Sequence, residues 1–244
     1  MIKQVRKLKE KKYRDEKQAF LVEGEKMIQE AISEKASIEK IFICEECLKD
    51  GSIDQKFIYE IAKQNCVYVS EKIFRSISDV MTPQGILAVI QRKQEKQEIS
   101  FQEELVLALD GIQDPGNLGT IIRTADSAGI RQILLSEQTA DPYNPKVVRS
   151  TMGAIFRVKL IQTKNFVQSL KEFQKHRYEV TATCLDEAKS IYEIDYRKRV
   201  IVIGNEANGV SQEVLKIADQ KIKIPMLRKN GELKCFRGCW NCGI

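Results

Sequence analysis

Apolar residues fall into two alternating patterns along this chain. Short runs rich in β-branched residues, at 20–24, 38–44, 67–69 and 85–91, predict buried strands. Between them, 25–33 has helical spacing, with Met27, Ile28, Ala31 and Ile32 on one face, and 58–64 predicts a second helix. From residue 101 the alternation is regular. Strands are expected at 105–109, 133–136, 158–161, 179–184, 200–203 and 221–224, and helices at 118–128, 145–154, 165–176 and 212–218. Gly129 closes the first of these helices and Pro145 opens the second. Strand–helix alternation of this kind builds a parallel sheet covered on both faces, and Val200-Ile201-Val202-Ile203 is what a buried parallel strand requires.

The stretch 92–100 is polar and charged, without apolar periodicity. It divides the chain into a small α/β domain over 1–92, a linker over 93–100 and a larger α/β domain over 101–244. The chain has 244 residues, an apolar fraction of 43% and no run long enough to span a membrane. Its start is charged, with no signal-peptide core, so a cytoplasmic location is expected.

Net charge is +6, and it is unevenly spread. Residues 1–20 carry eight Lys or Arg against three acids, which suits contact with phosphates. Lys7, Lys9, Lys11, Lys12 and Arg14 are the candidate phosphate contacts; the competing reading of this stretch is a solvated, frayed terminus. Seven scattered cysteines do not suggest a disulfide framework. Cys44 and Cys47, and Cys239 and Cys242, have C-x-x-C spacing, which is compatible with zinc. Neither a G-x-G-x-x-G nor a Walker motif occurs. The one histidine, His176, sits on a charged helix end as a surface residue, which argues against a histidine-dependent triad.

Two Gly- and Asn-rich turns follow predicted strands and open predicted helices, the place where α/β proteins build ligand sites. The first is Asp110-Gly111-Ile112-Gln113-Asp114-Pro115-Gly116-Asn117-Leu118-Gly119. Asn117 is a candidate N-cap. Arg123 lies in the second turn of the helix, near enough to the turn for phosphate or substrate contact. The second is Ile203-Gly204-Asn205-Glu206-Ala207-Asn208-Gly209-Val210-Ser211, where Gly204 permits close backbone approach and Glu206 places an acid at the mouth of the sheet.

Together, these turns resemble the first two signature motifs of the SpoU-type (TrmH-like) RNA ribose methyltransferases of the knotted SPOUT class. Asp141-Pro142-Tyr143-Asn144-Pro145-Lys146-Val147-Val148-Arg149-Ser150-Thr151-Met152-Gly153-Ala154 is similar to the same family. Lys11-Lys12-Tyr13-Arg14 and Phe20-Leu21-Val22-Glu23-Gly24 resemble its N-terminal, ribosomal-protein-like RNA-binding domain. The resemblance implies an α/β-knot parallel-sheet domain, S-adenosylmethionine as methyl donor, an RNA ribose 2′-hydroxyl as acceptor and a homodimer. The RNA implied is ribosomal rather than transfer RNA. The resemblance makes Arg123 the catalytic arginine, assisted by Asn117 and Glu206. Arg123 would orient a phosphate or, if strongly perturbed, accept a proton. Gly204, Ile224, Met226 and Leu233 would hold the cofactor.

The family's third motif should follow Ile224-Pro225-Met226, but residues 227–244 differ from it. The last ten residues contain three of the seven cysteines and the only tryptophan. Back-translated with permitted codons and read one base downstream, 227–244 becomes Leu-Gly-Lys-Thr-Glu-Ser-Leu-Asn-Val-Ser-Val-Ala-Ala-Gly-Ile-Ala-Val. This contains the missing Ser-Leu-Asn, and a one-base frameshift near the Leu227 codon explains the tail. Cys239 and Cys242 would then belong to the wrong frame, so no metal site is expected. The function expected is ribose methylation of RNA, with no membrane partner. The alternatives are a non-catalytic RNA-binding protein of the same fold and a small-molecule α/β enzyme.

Overall fold

Most strands form where β-branched runs predict them, and helices form between them. The computed structural model describes residues 1–49, 51, 53–92, 98–184 and 188–225. The order is α1 (Ile2–Lys7), α2 (Lys11–Lys17), β1 (Ala19–Glu23), α3 (Glu25–Ser33), β2 (Ile38–Cys44), α4 (Glu45–Lys49), α5 (Gln55–Ile61), β3 (Cys66–Val69), α6 (Glu71–Ile77) and β4 (Ile86–Gln91). There follow β5 (Leu105–Asp110), α7 (Pro115–Ser127), β6 (Gln132–Ser136), α8 (Pro145–Thr151), β7 (Lys159–Thr163), α9 (Phe166–Lys175), β8 (Glu179–Thr183), β9 (Lys189–Ser190), β10 (Arg199–Gly204), α10 (Gln212–Ile217) and β11 (Gln220–Lys223). Among the described residues, no helix is long and apolar enough to cross a membrane.

Contacts group the chain into two units. Met1–Glu95 joins Asp141–Phe156, and Lys96–Ala140 joins Arg157–Ile244. The expected division by sequence put 141–156 with the second unit, whereas its contacts lie with the first. Phe20 meets the Tyr143 ring at 5.0 Å, and Arg14 pairs with Asp141 at 2.6 Å.

The first unit holds a mixed sheet in the order β1-β4-β2-β3, with only β2 and β3 parallel. Ala19, Leu21, Phe42, Cys44, Leu87 and Val89 share a core with Phe74 and Ile77 of α6. Val5 and Leu8 complete this core, so the basic N-terminal stretch is two short helices seated on a sheet rather than a frayed arm.

The second unit is a seven-stranded sheet in the order β7-β6-β5-β10-β8-β11-β9, with every pairing parallel. Val106, Ala108, Val200 and Val202 face the α9 and α10 side, against Leu170, Phe173 and Val214. The crossover from β5 to β6 carries α7, with Leu118, Ile121, Ile122 and Ala125 buried. The segment expected to close a knot lies beyond residue 225, outside the described residues.

Candidate active site

β5 and β10 are neighbours, and the chain leaves them in opposite directions, from β5 towards β6 and from β10 towards β11. The crevice outside their carboxyl ends is a topological switch point, where open α/β sheets bind ligands. Both Gly- and Asn-rich loops emerge there. Gly111 has φ +75°, a conformation that side chains rarely adopt. The N-cap of α7 is Asp114, not Asn117: its carboxylate accepts the Asn117 amide at 2.7 Å, and Pro115 follows in the first helical position. Asn117 is thereby left in the first turn with its side chain available.

Glu206 makes use of it. Oε1 accepts from Asn117 Nδ2 at 3.1 Å and from the Asp114 amide at 3.3 Å, while Oε2 accepts from the Gln113 amide at 3.3 Å. Partial burial pushes the Glu206 carboxyl upwards. The hydrogen bonds from Asn117 and from the amides of Glu206, Gln113 and Asp114 outweigh it and hold the group below the ordinary carboxylate range. Glu206 is therefore an anion committed to backbone and amide donors at α7's start, a position that suits positioning better than proton removal.

The second loop is tied down by residues that the sequence did not single out. Asn205 donates from Nδ2 to the Gly111 carbonyl at 2.8 Å and accepts at Oδ1 from the Ala207 and Asn208 amides. Asp110 accepts the Ser211 amide at 2.8 Å. Gly204 is required by its surroundings: a Cβ there would lie 2.1 Å from Gly209 and Val210 backbone atoms. A cleft of about 720 Å³ opens beside these loops, with Asp110, Gly111, Lys164, Asn205 and Gly209 in its wall.

Arg123 is exposed on α7, and its guanidinium has no hydrogen bond or ion pair among the described residues. Six residues separate it from Asn117, roughly 120° around the helix and about 9 Å along it. The structure therefore joins Asn117 and Glu206 but not Arg123. Of the cofactor residues, Gly204 ends β10 and the half-buried Ile224 follows β11. β8 lies between these strands, so Thr183 and Cys184 at its end fall between Gly204 and Ile224. Met226 and Leu233 lie outside the described residues.

Two of the basic candidates point inward. Arg14 is 2% exposed; it binds Asp141 through Nε and Nη2, and the Leu8 and Lys9 carbonyls through Nη1. Four of its five N–H donors are committed inside the protein, so it is an internal brace rather than a surface cation. Lys9 directs its ammonium to the Ser76 and Ser78 carbonyls. Lys7, Lys11 and Lys12 remain exposed, and the Lys7 ammonium lies 4.6 Å from the Tyr13 ring centre.

Residues 104–233 match the family described as the SpoU rRNA methylase family. The chain belongs to this family. Residues 1–88 match a second family, the MRM3-like substrate binding domain. The SpoU chain is 31% identical to the 23S rRNA (guanosine(2553)-2′-O)-methyltransferase RlmP of Bacillus subtilis, over 92% of its own length and 87% of the relative's. A TrmH-family structure from Porphyromonas gingivalis matches with TM-score 0.79 and 35% identity, over 93% of this chain and 88% of that one. An AdoMet-bound rRNA methyltransferase from Sinorhizobium meliloti matches with TM-score 0.79 and 30% identity, over 96% and 88%.

Proposed function

We infer that this SpoU-family protein transfers a methyl group from S-adenosylmethionine to a ribose 2′-hydroxyl of RNA. The observation that carries the reading is the junction of the two motif loops through Glu206 and Asn117 at the carboxyl ends of β5 and β10. Ribosomal RNA is the substrate we favour, since RlmP of Bacillus subtilis and the mitochondrial rRNA methyltransferase 3 of Xenopus laevis are both named for rRNA.

The cofactor suits its candidate residues. Gly204 holds a backbone too close to Gly209 for any side chain, and Ile224 offers a half-buried apolar surface two strands away. When bound, S-adenosylmethionine supplies an electrophilic methyl group on a sulfonium. Asn117 donates Nδ2 to Glu206, which leaves its carbonyl Oδ1 to accept from the substrate hydroxyl. Glu206 fixes that orientation. Arg123 presents five N–H donors and no acceptor, which suits gripping the phosphate beside the target ribose. Because Asn117 and Arg123 diverge around α7, a homodimer that brings Arg123 of one copy to Asn117 of the other is the assembly this reading favours.

We take 1–92 as the RNA-binding domain, using Lys7, Lys11 and Lys12, and 101–244 as the methyltransferase domain. The tail carries a second reading. If 227–244 is frameshifted, this exact chain keeps RNA binding with weakened cofactor binding. The experiment is methyl transfer from labelled cofactor to rRNA by the chain as it stands and by one with Leu-Gly-Lys-Thr-Glu-Ser-Leu-Asn-Val-Ser-Val-Ala-Ala-Gly-Ile restored. Ribose methylation by either supports the function, and its absence from both removes it.

A further inference from the structure

Cys44 and Cys47 lie in the first unit, outside the site built from the two motif loops. Cys44 is the last residue of β2, and α4 begins at the next position. Its sulfur accepts the Cys47 amide hydrogen at 3.4 Å, the geometry of an N-cap with sulfur in place of oxygen. The same sulfur donates its proton to Glu46 Oε2 at 3.7 Å. Glu46 is held in place by the Glu71 amide at 2.8 Å. One thiol thus has both an N–H that stabilises negative charge on sulfur and a carboxylate placed to take its proton.

The two cysteines differ in access. Cys44 is buried, whereas Cys47 is half-buried, with its side chain against the bare α-carbon of Gly85. Residues three apart in a helical turn have Cα atoms about 5 Å apart. That separation lies within the roughly 4.4–6.8 Å that disulfides span. The 3.4 Å approach of the Cys47 amide to the Cys44 sulfur holds the two residues in one such turn. A metal reading lacks partners: among the described residues, no three or more His, Cys, Asp or Glu are grouped to hold an ion.

We propose that Cys44 and Cys47 are a reversible dithiol–disulfide site, oxidised by a small-molecule disulfide. The Cys47 thiolate attacks one sulfur of that disulfide, forming a mixed disulfide and expelling one thiolate, which takes up the proton Cys47 lost. Cys44 then passes its proton to Glu46 and attacks the Cys47 sulfur. The second thiolate leaves and is protonated from Glu46. Two protein thiols are oxidised and one small disulfide is reduced to two thiols. Closure removes the S–H that Cys44 donates to Glu46 and draws the Cys47 sulfur away from Gly85.

The test uses the full chain, equilibrated without oxygen against graded ratios of oxidised to reduced glutathione, then quenched and digested with trypsin. Residues 41–49 form one tryptic peptide carrying both cysteines, and Cys66 falls on another. The proposal expects the 41–49 peptide to become two hydrogens lighter as the ratio rises, and to recover with dithiothreitol. Cys44→Ser should accumulate glutathione on Cys47, while Cys47→Ser should acquire it on Cys44 about tenfold more slowly. Glu46→Gln, at an exposed position, should slow closure several-fold and let the mixed disulfide persist. The proposal is overturned by a 41–49 peptide that stays reduced throughout, by oxidation found only at other cysteines, by equal labelling of the two serine variants, or by zinc retained on the thiols.

Discussion

Glu206 and Asn117 are 89 residues apart in sequence and 3.1 Å apart in the structure. One carboxylate gathers the Gln113 and Asp114 amides and the Asn117 side chain, so the two motif loops act as a unit. Glu206→Gln keeps the shape but removes the charge and sets an NH2 donor where one oxygen now accepts. A charge-assisted hydrogen bond contributes about 1.5 kcal/mol. Methyl transfer in a cofactor-competent chain should therefore fall by about tenfold, with RNA binding unchanged. Single-turnover kinetics beside an RNA-binding titration check this, and a matching loss of RNA affinity would count against a positioning role.

Arg123→Ala should abolish ribose methylation while leaving cofactor binding intact, because the guanidinium is exposed and braces nothing among the described residues. Arg123→Lys should rescue little, since an ammonium cannot reproduce the planar two-point grip on a phosphate. Calorimetric cofactor binding beside methyl transfer separates the two functions.

Two carboxyls should give pH dependences of opposite sign. The Glu206 carboxyl is depressed, so its contribution to stability is present above its ordinary 4.5 and is lost as pH falls through the folded value. Glu23 is raised, first by burial; the Ser78 hydroxyl, the Asp79 amide and Arg149 offset this only in part. The folded state therefore binds more protons at Glu23 above 4.5, and stability falls as pH rises through that window. Glu23→Gln should flatten that fall and Glu206→Gln should flatten the acid limb. Melting temperatures across the acid range read both.

Arg14 and the exposed lysines should separate cleanly. Arg14→Met leaves Asp141 buried and unpaired, so it should cost about 3–5 kcal/mol of stability. Replacing Lys7, Lys11 or Lys12 by Gln should leave stability unchanged and lower the salt slope of RNA binding by roughly 0.7–0.9 for each phosphate no longer neutralised. Denaturant unfolding and salt titration of RNA affinity distinguish them.

The parallel sheet was legible because strands such as 200–203 are continuous β-branched runs, buried on both faces. The N-terminal helices were not, because Val5 and Leu8 are the only buried apolar residues in a highly charged stretch and their partners, Phe74 and Ile77, lie far along the chain. Arg14 looked like a surface cation for the same reason: its partner Asp141 is 127 residues away. Asp114 could have been read as the N-cap, since Asp followed by Pro at the first helical position is a helix-start signal. Asn117 drew attention instead through its place in the motif. The meeting of Asn117 with Glu206 followed only from the resemblance, since nothing local to either loop specifies the pairing of β5 with β10.

The most direct measurement is nucleoside analysis of rRNA after incubation with labelled S-adenosylmethionine and the tail-restored protein. The account predicts label in a 2′-O-methylated nucleoside, with none for Arg123→Ala. Label confined to a base, or equal labelling by the variant, would contradict it.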